Sequence, residues 1–134
     1  MQRVAAVVLA AGGSTRMGSP KQLLLLDGES LVRRAAKTAL ASRCSAVFVV
    51  VGAHAAAVAR ELDGLALTVV ENLHWRDAMG SSLSIGIKAI AAAQPNFAAA
   101  LITLADQPGV TPELLDRLVA AGETAPSGLG GEAT

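Results

Sequence analysis

Apolar residues along the chain fall into short unbroken blocks and into longer stretches where polar positions recur every third or fourth residue. Val4 to Leu9 is an unbroken block that ends at Ala10-Ala11-Gly12-Gly13. A strand covered on both faces reads this way, because neither face carries a polar side chain. Ala46 to Val51 repeats the pattern and stops at Gly52, Leu67 to Val70 is a shorter version, and Ala98 to Leu104 is a fourth. Helical stretches lie between. Ser30 is placed to cap a helix running to about Ala41, with Leu31, Ala35, Thr38 and Ala39 on one face and Arg33, Arg34 and Lys37 on a solvated one. Ala55 to Leu62 reads as a short helix stopped by Asp63-Gly64. Asn72 to Gly80 is irregular, and Ser81 to Ala93 is a long helix ended by Pro95. Thr111 caps a last helix that has Pro112 at its first position and Glu113 in its first turn, and runs to about Ala121.

Strand and helix alternate from end to end. That order predicts an α/β fold, a mostly parallel sheet between helical layers, joined by right-handed crossovers. Ligands in such folds sit beyond the carboxyl ends of the strands. Ala10–Lys21, Asn72–Ser82 and Ala105–Pro108 all follow strands, so topology brings them to one edge.

Composition narrows the classes of function. The 134 residues suit one core of small aliphatic side chains, with Phe48, Phe97 and Trp75 the only aromatics. Net charge is zero and there is no basic run, which argues against a nucleic-acid binder but not against a small anionic ligand. Cys44 stands alone and reads as a small buried apolar residue, without a disulfide framework. No uninterrupted apolar run reaches the roughly 18 residues of a membrane span. Met1 to Ala11 reads as a strand rather than a signal peptide, so a cytoplasmic setting is expected. Gly122 to Thr134 holds almost no large apolar residue and is expected to be a flexible tail after a domain spanning residues 1–121.

The first loop, Leu9 to Lys21, carries the densest candidate chemistry. Gly12, Gly13 and Gly18 let the backbone turn tightly and approach a ligand, and exposed N–H groups there cradle phosphate oxygens. Arg16 offers a planar fork and Lys21 a point charge for a triphosphate and for the charge on departing pyrophosphate. The spacing is that of neither the P-loop nor the dinucleotide fingerprint. Asp106, directly after the fourth block, suits Mg²⁺, which takes one or two carboxylates plus substrate oxygens; it equally suits a turn or cap. Ser81 and Ser82 can bind an anion at a helix N-terminus or simply cap it. His54 and His74 have no partner at metal-ligand spacing and read as loop residues. Trp75 packs under its loop or stacks on a flat ligand.

Leu9-Ala10-Ala11-Gly12 with Ser14, Arg16-Met17-Gly18 and Lys21 resembles the signature of the MobA-like NTP transferase superfamily. Asn72…Trp75…Met79-Gly80-Ser81-Ser82-Leu83…Gly86 and Asp106-Gln107-Pro108 bring the resemblance closest to its molybdenum cofactor cytidylyltransferases, the MocA-like group. Leu73 and Ala78 depart from residues common in that group. The match runs from Val4 to about Ala121, and the longer family members continue with further strands and a second acidic motif. The resemblance thus implies a domain lacking its C-terminal part.

It also implies a Rossmann-like three-layer α/β/α sandwich of the nucleotide-diphospho-sugar transferase type. Leu9, Ala10, Ala11, Gly12, Gly13, Ser14 and Asn72 would bind nucleotide, and Arg16 and Lys21 would support catalysis. Ser81 and Ser82 would bind the acceptor, and Asp106 would hold Mg²⁺. The implied reaction is CMP transfer from CTP to molybdopterin with release of pyrophosphate, in the service of a molybdenum hydroxylase. The Ala11 methyl, where the guanylyltransferase branch has Gly, would narrow the pocket toward a pyrimidine. Alternatives are a nucleotidyltransferase with another phosphorylated acceptor, or a non-catalytic nucleotide-binding accessory protein. Members of the group are sometimes named for the pathway they serve, so an oxidoreductase label need not mean redox chemistry.

Overall fold

The computed structural model describes residues 3–13, 15–16, 18–77, 79–93, 97–107 and 109–124. Ser14, Met17, Ala78, Pro95, Pro108 and the tail beyond Thr124 lie outside the described residues, and of Thr15, Arg16, Met79, Glu123 and Thr124 the backbone alone is described. The elements are β1 (Val4–Ala10), β2 (Thr15–Arg16), β3 (Ser19–Pro20), a 3-10 turn (Lys21–Leu23), β4 (Leu25–Leu26), β5 (Glu29–Ser30) and α1 (Leu31–Ala41). There follow β6 (Ala46–Val51), α2 (Ala55–Arg60), β7 (Thr68–Glu71), α3 (Met79–Ala92), β8 (Ala99–Leu104) and α4 (Pro112–Thr124).

The main sheet has four strands in the order β7-β6-β1-β8, every pairing parallel. β1 lies between β6 and β8, with Val8 opposite Val49 on one side and Thr103 on the other. Alternate residues serve opposite faces, as the pleat requires. Val4, Ala6, Val8 and Ala10 join the core under α1, α2 and α4, while Ala5 and Val7 join Phe48, Val50 and Ile90 under α3. Burying each such valine stabilises the fold by about 1.5–3 kcal/mol relative to exposure. Helix α3 comes close to the sheet at Gly86, where a Cβ would stand 2.8 Å from Val7 Cγ1.

Four strands and four helices appear where the hydrophobic pattern puts them, with boundaries shifted by up to three residues. Ser30 caps α1 by accepting from the Arg33 amide at 3.3 Å, and Thr111 caps α4 by accepting from the Leu114 amide at 3.1 Å. Three details differ. The buried stripe of α1 is Val32, Ala36 and Ala39, so of the expected face only Ala39 is fully covered. The stripe is set by which residues meet both the sheet and α4, a constraint that periodicity alone does not contain. Arg33 is not on a purely solvated face: its Nη1 donates to the Glu61 carbonyl at 2.8 Å and the Asp63 carbonyl at 3.0 Å, tying α1 to the end of α2. The last helix continues to Thr124, into the segment expected to be flexible.

The hairpin of β4 and β5 was not expected. It turns at Asp27-Gly28, both with positive φ (54° and 80°), as a two-residue hairpin turn requires. Cys44 is half-buried, and burial pushes its thiol pKa up.

Candidate functional site

The chain runs outward from β1 to β6 and β7, then returns to lay β8 on the other side of β1. The sheet order therefore reverses between β1 and β8, and a crevice opens there beyond the strand ends. Backbone hydrogen bonds carry the parallel ladder past the strands and align the loops. Ala105 N–H donates to Leu9 O at 3.1 Å, Ala53 N–H to Ala11 O at 3.1 Å, and Asn72 N–H to Val51 O at 2.7 Å.

A cleft of about 140 Å³ occupies the reversal point. Leu9, Ala10 and Gly12 line one side, Leu104 and Asp106 another, and Lys21 with Gln22 a third. A Cβ built on Gly12 meets nothing within 4 Å, so the loop is open to a ligand at that residue. Asp106 is exposed and Lys21 half-buried, and among the described residues neither is held in an ion pair. Thr15–Arg16 pairs antiparallel with Ser19–Pro20, and Gly18 takes φ 81°, so the backbone of Arg16 is fixed on a small hairpin next to Lys21.

Gln22 is the residue that motif reading passed over. It is 5% exposed, and its amide Nε2 donates to the Ala10 carbonyl at 3.2 Å and the Gly12 carbonyl at 3.0 Å. Unpartnered carbonyl dipoles would repel phosphate oxygens, and Gln22 engages both while pinning the loop. The available signal was a long polar residue between Lys21 and Leu23, directly after the first loop.

The second loop is built differently. Asn72 is wholly buried, and its Nδ2 donates to Ser81 Oγ and Ser82 Oγ, each at 2.9 Å. Its Oδ1 accepts from the His74 amide at 2.8 Å, and Ser81 Oγ donates to the His74 carbonyl at 3.1 Å. Asn72, Ser81 and Ser82 thus form a closed knot joining the end of β7 to the start of α3. None of the three lines the cleft. Trp75 lies between the knot and the first loop, packed against Gly13 and Gly52. The Arg76 guanidinium sits 5.0 Å from its ring centroid.

The structure therefore gathers Leu9, Ala10, Gly12, Lys21 and Asp106 around one space. Gly13 faces Trp75 instead. Ala11 is 4% exposed, with its methyl in the core beside Gly52, so it does not narrow the cleft as expected. The residue after a strand keeps the strand's alternation, and that alternation turns Ala11 inward. His54 is exposed with φ 57°, and His74 is exposed with Asp77 at 3.8 Å. A larger hollow of about 250 Å³ lies between α1, β8 and α4, but it takes in none of the first loop's residues.

Asp106 is the one carboxylate among the described residues that line the cleft. Among the described residues no group of three or more His, Cys, Asp or Glu could hold a metal. Asp106 is a single carboxylate beside a phosphate-sized opening, the donor set of an ion completed by ligand oxygens.

The domain described as MobA-like NTP transferase matches residues 6–129. The chain belongs to this family. A protein called nicotine blue oxidoreductase, from Paenarthrobacter nicotinovorans, is 39% identical over 117 residues, covering 87% of this chain and 55% of that protein. A nucleotidyl transferase from Methanothermobacter superposes with a TM-score of 0.76 at 30% identity, over 87% of this chain and 56% of that one. Rv0371c of Mycobacterium tuberculosis, solved in complex with manganese, superposes with a TM-score of 0.69 at 30% identity, over 90% of this chain and 59% of that one. The chain spans between 55% and 59% of the length of these MobA-like relatives. The parallel sheet and its flanking helices are the Rossmann-like architecture of nucleotide-diphospho-sugar transferases. No helix among the described residues is long and apolar enough to cross a membrane.

Proposed function

We propose that the cleft binds CTP and that the chain supplies the nucleotide half of a cytidylyltransferase whose acceptor is molybdopterin. The observation that carries the reading is the meeting of Gly12, Lys21 and Asp106 at the β1/β8 reversal. A glycine backbone, a free ammonium and a free carboxylate in one opening suit a metal–triphosphate. In the reaction an oxygen of the acceptor's terminal phosphate forms a bond to the α-phosphorus of CTP. The bond from the α-phosphorus to the bridging oxygen breaks, and pyrophosphate leaves with that electron pair. Gly12 orients the phosphates, Lys21 and Arg16 offset the charge on the leaving group, and Gln22 keeps the loop in its binding shape. Asp106 would hold Mg²⁺, or the manganese that a relative binds, and a divalent ion there neutralises phosphate charge. The acceptor and any molybdenum hydroxylase client follow from the sequence resemblance.

Calorimetric titration with CTP and GTP, with and without Mg²⁺, tests the reading. CTP binding that needs the metal and vanishes in Asp106→Ala supports it; pyrophosphate release on adding molybdopterin would establish the acceptor. Binding of neither nucleotide would sink it. The oxidoreductase name of one relative favours a second reading, in which the cleft takes a redox nucleotide. A parallel titration with NADH and NADPH separates the two, since only that reading expects binding there.

A further inference from the structure

Trp75 bridges the two loops through a notch made by two glycines. A Cβ at Gly52 would stand 2.6 Å from Trp75 Cβ and 2.9 Å from Cγ, so the stem of the side chain lies on Gly52. A Cβ at Gly13 would stand 2.6 Å from Cζ3 and 3.0 Å from Cη2, so the far edge of the indole lies against Gly13. Real Cβ atoms do not approach carbon so closely, and both positions must be glycine for the indole to lie there. The indole is held from both ends of its own loop. The Asn72 knot fixes the backbone at His74, one residue before it, and Arg76 stacks on its ring, one residue after it. On the other side, Gly13 adjoins Gly12, whose open face looks on the cleft and whose carbonyl is tied by Gln22. The Gly12–Gly13 segment is thus clamped between Gln22 and Trp75.

We propose that Trp75 is a positioning residue for nucleotide binding: its indole edge is the backstop that sets where the Gly12–Gly13 backbone meets the phosphates. The inference rests on the nucleotide reading of the cleft. Trp75 does not line the cleft and acts through Gly13. It also places the Asn72–Ser82 segment in mechanical contact with the phosphate loop, so the second loop influences nucleotide affinity without offering a ligand group.

The test is a double-substitution cycle of Gly13→Ala and Trp75→Leu, read by CTP affinity. Leucine keeps the Cβ and Cγ that rest on Gly52 and removes the ring edge that meets Gly13. Gly13→Ala alone is expected to weaken CTP binding about tenfold, because the added methyl drives the loop off the indole. In the Trp75→Leu background the same substitution is expected to cost less than about twofold, because the methyl then has room. Trp75 is the only tryptophan, so its emission reports the wedge without nucleotide, and Gly13→Ala is expected to shift that emission to the red. Equal losses of CTP affinity in both backgrounds, or no loss in either, overturn the proposal. An unshifted emission spectrum overturns the wedge itself. Absence of CTP binding in the unsubstituted chain is failure of the nucleotide reading instead, and is told apart because the emission shift and the melting-temperature coupling of the two substitutions remain measurable.

Discussion

The two loops that meet where Trp75 packs on Gly13 are made of similar residues and behave in opposite ways. The first follows the buried central strand β1 and the second the largely exposed edge strand β7, and both carry small and polar side chains. In the first, Gly12 and Lys21 keep their polar capacity turned to an open cleft that Asp106, after β8, also lines, and one buried amide, that of Gln22, holds the backbone. In the second, Asn72, Ser81 and Ser82 spend theirs on one another and on His74. A serine pair at a helix start is an anion site only if its hydroxyls and amides are unclaimed. Here a wholly buried asparagine claims the hydroxyls. The difference lies in the partners, and no count of residue types reveals it.

The comparison predicts that damage to the second loop appears as lost stability, and damage to the first as lost binding. The largest stability effect is expected for Asn72→Ala, which leaves the His74 backbone amide and the Ser81 and Ser82 hydroxyls without their partner. Its unfolding free energy should fall by about 2–4 kcal/mol, read as a lower denaturant midpoint. A change below the error of such a measurement would break the contrast. Gly52→Ala comes next, because its methyl collides with Trp75 Cβ and Ala11 Cβ. It should cost about 1–3 kcal/mol in the same assay.

Gln22→Leu strands two loop carbonyls and should cost about 1–2 kcal/mol. Its affinity for CTP should fall more than that of Gly52→Ala, if the loop's shape is what Gln22 serves. Asp106→Asn stands last on the stability scale, within about 0.5 kcal/mol of the parent, because the side chain is exposed. That variant should nonetheless lose the metal-dependent part of nucleotide binding in calorimetry. An Asp106→Asn protein that melts well below the parent would place this carboxylate with the structural residues and erase the contrast.

Much of this is legible in the sequence alone. Three of the strands follow from unbroken apolar blocks, since a strand buried on both faces has no polar side to show, whereas β7, the short fourth block, is an edge strand that stays largely exposed. Ser30 and Thr111 were legible as caps, because capping is a local bond between neighbours in sequence. Lys21 and Asp106 were legible as candidates, because free charged groups after buried strands have few structural uses. Gln22 was not, because its partners Ala10 and Gly12 lie 12 and 10 residues back. The inward turn of Ala11 and the claim of Asn72 on both serines were likewise hidden.

By itself, the sequence determined the alternation of strands and helices, the family, and the end of the sheet where the candidate residues meet. Those properties follow from hydrophobic period and from residues adjacent in the chain. Only the tertiary structure decided which polar groups remain unpaired among the described residues: Lys21 and Asp106 on one side of β1, but not Asn72, Ser81 and Ser82 on the other. The physical reason is that a hydrogen bond across a fold depends on where distant backbone segments meet, and that is settled by the packing of the whole core.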